Sequence, residues 1–409
     1  MTALQAPGKL RTPERVVLPR IRPRRSLHWL HWLLVWSVVL VAVAFLGGSW
    51  YFAGSIESGA LASTPGQPIP DYDDVRVVGV KGGKVQLRKA ADAGPSFDAA
   101  GTYGLAWDGG TGIVGPATRN TDGTVTRPLK ILQGTAPLAR QRAALDRAVW
   151  VGDPPQGFRI AKMDVSVGGL PAWYFPSGPG ALSTMAIFVH GQNGTRNDGL
   201  RFVTAAVPAG VPVLDITYRG DLRAPQDPSG RLQFGQTEWR DLEAAVDWAQ
   251  EQGATHVVLV GQSMGGAVVA AFLENSTRRR AVSGIILDSP VLSLESLVEY
   301  GARDAMPGGG PVPASMLWSA QEIASMRYGI DWADVDYLDN TDWLQIKALV
   351  IHGSADPVVP LSTSQQLQKT KPVLVGLEVF PRALHVESWN VDPGRYTKVV
   401  RNYLEMARP

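Results

Sequence analysis

Cysteine is absent from the 409 residues. Its absence excludes disulfide bridges, thiolate metal sites and a cysteine nucleophile. Histidine is scarce, with 6 copies, so each can be weighed singly. There is little excess of either charge. The formal net charge of +2 gives no reason to expect a nucleic-acid partner. Internal repeats, nucleotide-binding loops and metal-ligand spacings are missing, so no cofactor and no metal are implied. One long stretch lacks charge altogether: from Ser26 to Ile56 there is no Asp, Glu, Lys or Arg.

Within that stretch, "WLLVWSVVLVAVAFLGGSWYF" (Trp32 to Phe52) approaches the ~20 apolar residues that span a bilayer. Trp29, Trp32, Trp36, Trp50 and Tyr51 lie toward its ends, as interfacial aromatics do. Lys9, Arg11, Arg15, Arg20, Arg22, Arg24 and Arg25 precede it, whereas Glu57, Asp71, Asp73 and Asp74 follow. The pattern predicts a basic cytoplasmic tail (1–27), a transmembrane signal-anchor helix (28–53) and an extracytoplasmic remainder at the cell membrane. The competing reading is a cleaved signal peptide, for which "ALA" at 60–62 resembles a processing site.

Residues 54–150 read as a Pro/Gly linker and a small β-rich accessory module. "VRVVGV" and "KVQLRKA" are expected to be strands joined at Lys81-Gly82-Gly83, and "RAALDRAVW" a short helix. The alternative for this region is an extension of the main sheet. Residues 151–409 carry a different pattern. A hairpin turning at Gly168-Gly169 leads into apolar strands at 185–190, 211–218, 256–261, 282–288, 348–353 and 376–381. These alternate with helical stretches, which implies a mostly parallel central sheet covered by helices on both faces. The segment 289–345 reads as cap-like. Its Leu292, Leu294, Leu297, Met306, Met316, Leu317, Trp318, Ile323 and Met326 would suit either an apolar acyl pocket or ordinary helix packing.

"LVGQSMGGAVVAAF" (Leu259 to Phe272) places Ser263 between a strand and a helix. The turn is tight enough to require Gly261 and Gly265. A serine hydroxyl is a weak nucleophile and needs an imidazole to take its proton; the imidazole needs a carboxylate to fix its tautomer. Asp356 and His385 both follow later strands, on the sheet edge where loops gather. His28 and His31 border the apolar run, His190 belongs to "HGQNG", His256 opens a strand, and His352 precedes the acid loop, which leaves His385, in a loop after a late strand, as the candidate base. Asp288, also at a strand end, is a rival acid, and Asp215 reads as structural. A tetrahedral oxyanion needs two N–H donors. Met264, after the serine, and Gln192, in "HGQNG", are placed to give them.

"HGQNG", "GQSMGG", "LDSP", "GSADPVVP" and "HVESW", in this order, resemble the α/β-hydrolase superfamily, in its esterase and acylglycerol-lipase-like branch. The resemblance implies Ser263 as nucleophile, His385 as base and Asp356 as acid. The expected function is hydrolysis of a small-molecule or lipid carboxylic ester. A serine peptidase of the same fold, or a non-catalytic membrane-anchored binding protein, are the alternatives.

Overall fold

The computed structural model describes residues 8, 28–91, 94–178 and 183–408. Apart from Gly8, the predicted basic tail lies outside the described residues. The chain divides into two units, Met1–Gly48 and Ser49–Pro409. Helix α1 (His28–Ile56) runs from the first into the second. Among the described residues it is the helix long and apolar enough to cross a membrane.

The last turns of α1 are packed against protein. Phe52, Ala53 and Ile56 form one cluster with Ala302, Val312, Ala320 and Ala324. A π-helical turn, Glu57–Leu61, follows, and from there the chain crosses the surface of the C-terminal domain. Leu61 accepts a backbone bond from Leu232 (2.9 Å), Ala62 bridges to Arg231, and Glu57 pairs with Arg231 (3.6 Å).

The module is a sheet of its own and not an extension of the main one. Strands β1 (Val75–Lys81), β2 (Lys84–Lys89), β3 (Tyr103–Trp107), β4 (Gly110–Val114), β5 (Thr118–Arg119), β6 (Val125–Gly134) and β7 (Arg142–Asp146) run in the order β2-β1-β7-β3-β4-β6-β5. A β2–β6 pairing curls the sheet toward a barrel. Val75, Val77, Leu87, Leu105 and Trp107 fill its core. The short helix expected in "RAALDRAVW" is instead β7, antiparallel to both β1 and β3. Two strand edges needing hydrogen bonds outweigh the local helical preference of three alanines.

The second sheet has the order β15-β14-β13-β12-β10-β11-β9-β8. Its strands are β8 (Met163–Val167), β9 (Leu170–Phe175), β10 (Thr184–Val189), β11 (Val213–Asp215), β12 (His256–Gln262), β13 (Val282–Asp288), β14 (Ala348–Gly353) and β15 (Val375–Phe380). From β11 through β15 the pairings are parallel, and β8 and β9 are antiparallel. Side chains alternate between two apolar cores. On β12, Val257 and Leu259 face one core and Val258 and Val260 the other. Strands buried on both faces read as continuous apolar runs. Helices α3 (Trp239–Glu251) and α4 (Met264–Asn275) cover one face; α2 (Leu200–Ala206) and α9 (Pro393–Ala407) cover the other. Between them in sequence lie α5 (Leu294–Ala302), α6 (Ala314–Tyr328), α7 (Leu361–Thr370) and α8 (Ser388–Val391).

The chain leaves β10 toward β11 on one side, while β12 pairs on the other. That reversal opens a crevice at the carboxyl ends of β10 and β12. "HGQNG" and Ser263 follow those two strand ends directly.

In the cap-like segment, most of the apolar side chains are packed against other parts of the protein. Met306, Met316, Leu317 and Ile323 lie against the cluster that holds the end of α1, and Leu292 and Leu294 join the main core. Trp318 and Met326 on α6 remain exposed.

Candidate active site

Ser263 caps α4 with φ 52° and ψ −120°. This is a sparsely populated region for a residue with a Cβ. The surroundings enforce it. Ser263 N–H donates to Asp288 O (2.9 Å), and Ser263 O accepts from Gly266 and Val291 N–H (2.9 Å each). A Cβ on Gly261 would lie 2.6 Å from Gly265 O, and one on Gly265 would collide with Val189 O. Only glycine permits strand and helix to approach this closely. Ser263 is half-buried, at the apex of the turn.

Three side chains meet there. His385 Nε2 lies 2.9 Å from Ser263 Oγ, and His385 Nδ1 lies 2.8 Å from Asp356 Oδ2. Asp356 Oδ1 accepts from Val358 N–H (2.8 Å) and Val359 N–H (2.9 Å). Burial pushes the Asp356 carboxyl up, but hydrogen bonds from His352 and His385 outweigh it and hold the group well below the usual carboxylate range. Burial lowers His385, and the Asp356 bond and charge only partly oppose it. The arrangement therefore presents a neutral imidazole to the serine beside an ionised carboxylate.

Asp288 lies outside the Ser263–His385–Asp356 hydrogen-bond relay. It is buried, its nearest polar side-chain partner is Tyr396 Oη at 3.5 Å, and burial pushes it up to about 6. His352 is buried under the acid loop, with Nδ1 2.7 Å from Ser364 Oγ and Nε2 3.4 Å from Asp356 Oδ2. Asp215 is buried inside the domain.

Met264 N–H is the first of α4, so it has no intrahelical partner, and the helix dipole favours negative charge there. Across the crevice, a Cβ on Gly191 would lie 2.8 Å from Ser263 Cβ, which puts the "HGQNG" loop directly against the serine. The loop is held on two sides. Beneath it, Tyr218 Oη donates to Gly191 O (3.0 Å). His190 stacks on the Tyr218 ring and bridges Gly191 O and Asp221 Oδ2, both at 2.9 Å. Burial works against a charged His190, but Asp221 outweighs it and pushes the group up to about 9. Above it runs the chain that leaves α1. Gln192 Nε2 donates to Gly59 O (3.1 Å), Asn193 Nδ2 to Ala62 O (3.1 Å), and Thr64 N–H to Asn193 Oδ1 (2.8 Å). Sequence reading misses this strap, because Gly59 and Ala62 act through backbone carbonyls. It also passes over Asp221, Glu387 and Asn390.

Residues 184–327 match the family described as Serine aminopeptidase, S33. That span includes Ser263 and ends before Asp356 and His385. Residues 76–146 match a domain family of unknown function. A curated relative, the uncharacterized protein YfhR of Salmonella typhimurium, is 25% identical over 248 residues, covering 57% of this chain and 75% of its own. Among solved structures, the Pyrococcus furiosus esterase Pf2001 aligns at TM-score 0.46 and 19% identity, over 61% of this chain and 93% of its own. The Rhodococcus esterase RhEst1 aligns at 0.43 and 20%, over 60% and 98%. Strand order, the β10/β12 crevice and the family match together give the C-terminal domain of this chain an α/β-hydrolase fold.

Proposed function

We propose that this chain is a membrane-anchored serine hydrolase that cleaves carboxylic esters through an acyl-enzyme on Ser263. The observation that carries the reading is His385, bridging Ser263 Oγ and Asp356 Oδ2 at 2.9 and 2.8 Å with its charge disfavoured by burial. His385 Nε2 takes the hydroxyl proton as Oγ bonds to the ester carbonyl carbon. Met264 and Gln192 N–H groups receive the oxyanion. His385 returns the proton to the departing alkoxide, and the alcohol leaves. Water then attacks the acyl-enzyme with His385 again as base, which releases the acid and restores the serine.

A serine peptidase is the second reading, favoured by the description of the matching family. A panel of p-nitrophenyl esters from acetate to hexanoate, run beside aminoacyl p-nitroanilides, separates the two. Ester turnover is expected to dominate. Because burial lowers His385 from 6.5, the acid limb of kcat/KM should have its midpoint below pH 6.5. Faster cleavage of the anilides than of any ester would move the protein to the peptidase reading.

The anchor is proposed to remain uncleaved, with the tail cytoplasmic and the hydrolase outside. Ala60 and Leu61, in the processing-like "ALA", are buried in the hydrolase core, which supports an uncut chain. Protease added to intact spheroplasts should digest the hydrolase and spare the N-terminal tail. A domain protected until lysis would refute the topology, and release as a shortened soluble form would refute the uncleaved anchor.

A further inference from the structure

The β-rich module, whose family has no known function, contributes none of Ser263, His385 or Asp356. It does grip the turn that carries His385. That turn, 381–390, holds Arg382 at φ 62° and Val386 at φ 53°. Two non-glycine residues in the left-handed region persist only where the surroundings over-determine them.

Arg382 N–H donates to Ser354 Oγ (2.9 Å) and Val386 N–H to Ser289 Oγ (3.3 Å), both within the C-terminal domain; the module holds the next part of the turn, at Glu387 and Asn390. Glu387 is buried, and the module engages both of its oxygens. Ser96 Oγ donates to Oε1 (2.9 Å) and Tyr103 Oη to Oε2 (2.6 Å). Asn390 Nδ2 donates to Thr102 O (2.7 Å) and Arg147 O (2.9 Å); Thr102 N–H returns a bond to Asn390 O (2.9 Å). The gripping stretch, 96–103, is itself fixed from within. Buried Arg127 of β6 donates to the carbonyls of Ser96 (2.7 Å), Phe97 (3.0 Å), Ala99 (3.0 Å) and Gly101 (3.2 Å). From the hydrolase side, Arg201 Nη1 donates to Val386 O and Asn390 Oδ1, both at 2.6 Å.

We propose that the module is a clamp for the histidine turn. Tyr103 and Ser96 act through Glu387, and Thr102 acts through Asn390, to keep His385 Nε2 within reach of Ser263. The inference rests on the proposed role of His385. The module has a separate apolar core, so a packing role would not require a buried carboxylate with both oxygens bonded. A buried polar network sets geometry, because an unmade bond inside it is expensive. Tyr103, Ser96, Glu387 and Asn390 are positioning residues; none touches the reacting atoms. A general base must be held to within roughly half an ångström of its productive place.

The test uses the full chain in detergent. The double variant Ser96→Ala/Tyr103→Phe removes two donors and keeps the ring. Tyr103→Phe alone serves where the double variant does not fold. With p-nitrophenyl butyrate, kcat is expected to fall about tenfold or more, with KM within about twofold, the pattern of lost transition-state geometry. The groups that set the titration of His385 are Asp356, Arg147 and His352. A loosened turn exposes the imidazole, so the acid limb should move to higher pH. Glu387→Gln, which keeps an acceptor for Tyr103, should retain more activity than Glu387→Ala. The rate at which a fluorophosphonate labels Ser263 gives the same comparison without a substrate. Folded variants with wild-type kcat, labelling rate and acid limb would overturn the clamp and leave the module a stability element. A wild type that neither hydrolyses esters nor labels would instead overturn the underlying reading, and the clamp with it.

Discussion

Ser263→Ala is expected to lower kcat on an ester by roughly 10⁶-fold, or about 8 kcal/mol of barrier. The fold should survive. The backbone bonds that hold the turn, from Ser263 N–H to Asp288 O and from Gly266 and Val291 N–H to Ser263 O, do not involve the side chain. An alanine Cβ also occupies the same space at φ 52°. What the variant loses is the atom 2.9 Å from His385 Nε2. The proposed Met264 and Gln192 donors would remain, so a residue of catalysis over water is expected, on the order of 10³-fold. A fluorophosphonate should label the wild type at Ser263 and not the variant, with the circular dichroism melt as the check on folding. Equal labelling of a folded Ala variant would sink the assignment.

Ser263, Asp356 and His385, whose side chains meet in the fold, were legible as candidates because each follows a strand end, and strands buried on both faces leave an apolar run. Gly261 and Gly265 were legible for a related reason: where backbone approaches backbone, the side chain must vanish. The supports of the site left no such trace. Tyr103 and Glu387 are 284 positions apart, and a tyrosine in a strand looks the same whether or not its hydroxyl has a buried partner. Arg127 reads as a surface residue, since arginine is seldom fully buried, yet it is wholly enclosed. The end of α1 was illegible in another way. Phe52, Ala53 and Ile56 are equally at home in lipid and against α6, and only the structure puts them in the cluster with Ala320 and Ala324. The same ambiguity leaves Met316, Leu317 and Ile323 equally suited, in sequence, to an acyl pocket or to helix packing; the fold places them beside the end of α1.

Asp356→Asn is expected to cut kcat by roughly 10⁴-fold, and Asp288→Asn by far less. At position 356 the oxygen that accepts from Val358 and Val359 N–H would be kept as the amide carbonyl. The amide NH₂ must then face His385 Nδ1, where the carboxylate now accepts at 2.8 Å. A donor there makes Nδ1 the acceptor and moves the ring proton to Nε2. His385 would then present N–H to Ser263 Oγ and could not take its proton. Asp288 offers no such leverage. It has no bond to His385, one oxygen is buried without a partner, and burial holds its carboxyl up at about 6. A group raised in the folded state adds stability below its unfolded value near 3.8 and loses that contribution as pH rises through about 6. Asparagine, which never ionises, escapes that loss. The Asp288→Asn protein should therefore melt no lower than wild type at pH 8, where the wild type must bury a charge. Its relative advantage should shrink at pH 5. Measuring kcat and melting temperature for both variants at the two pH values separates a group that orients the base from one that only sits beneath the turn. If folded Asp288→Asn lost more kcat than Asp356→Asn, the acid would be Asp288, and the 2.8 Å contact between His385 and Asp356 would be structural.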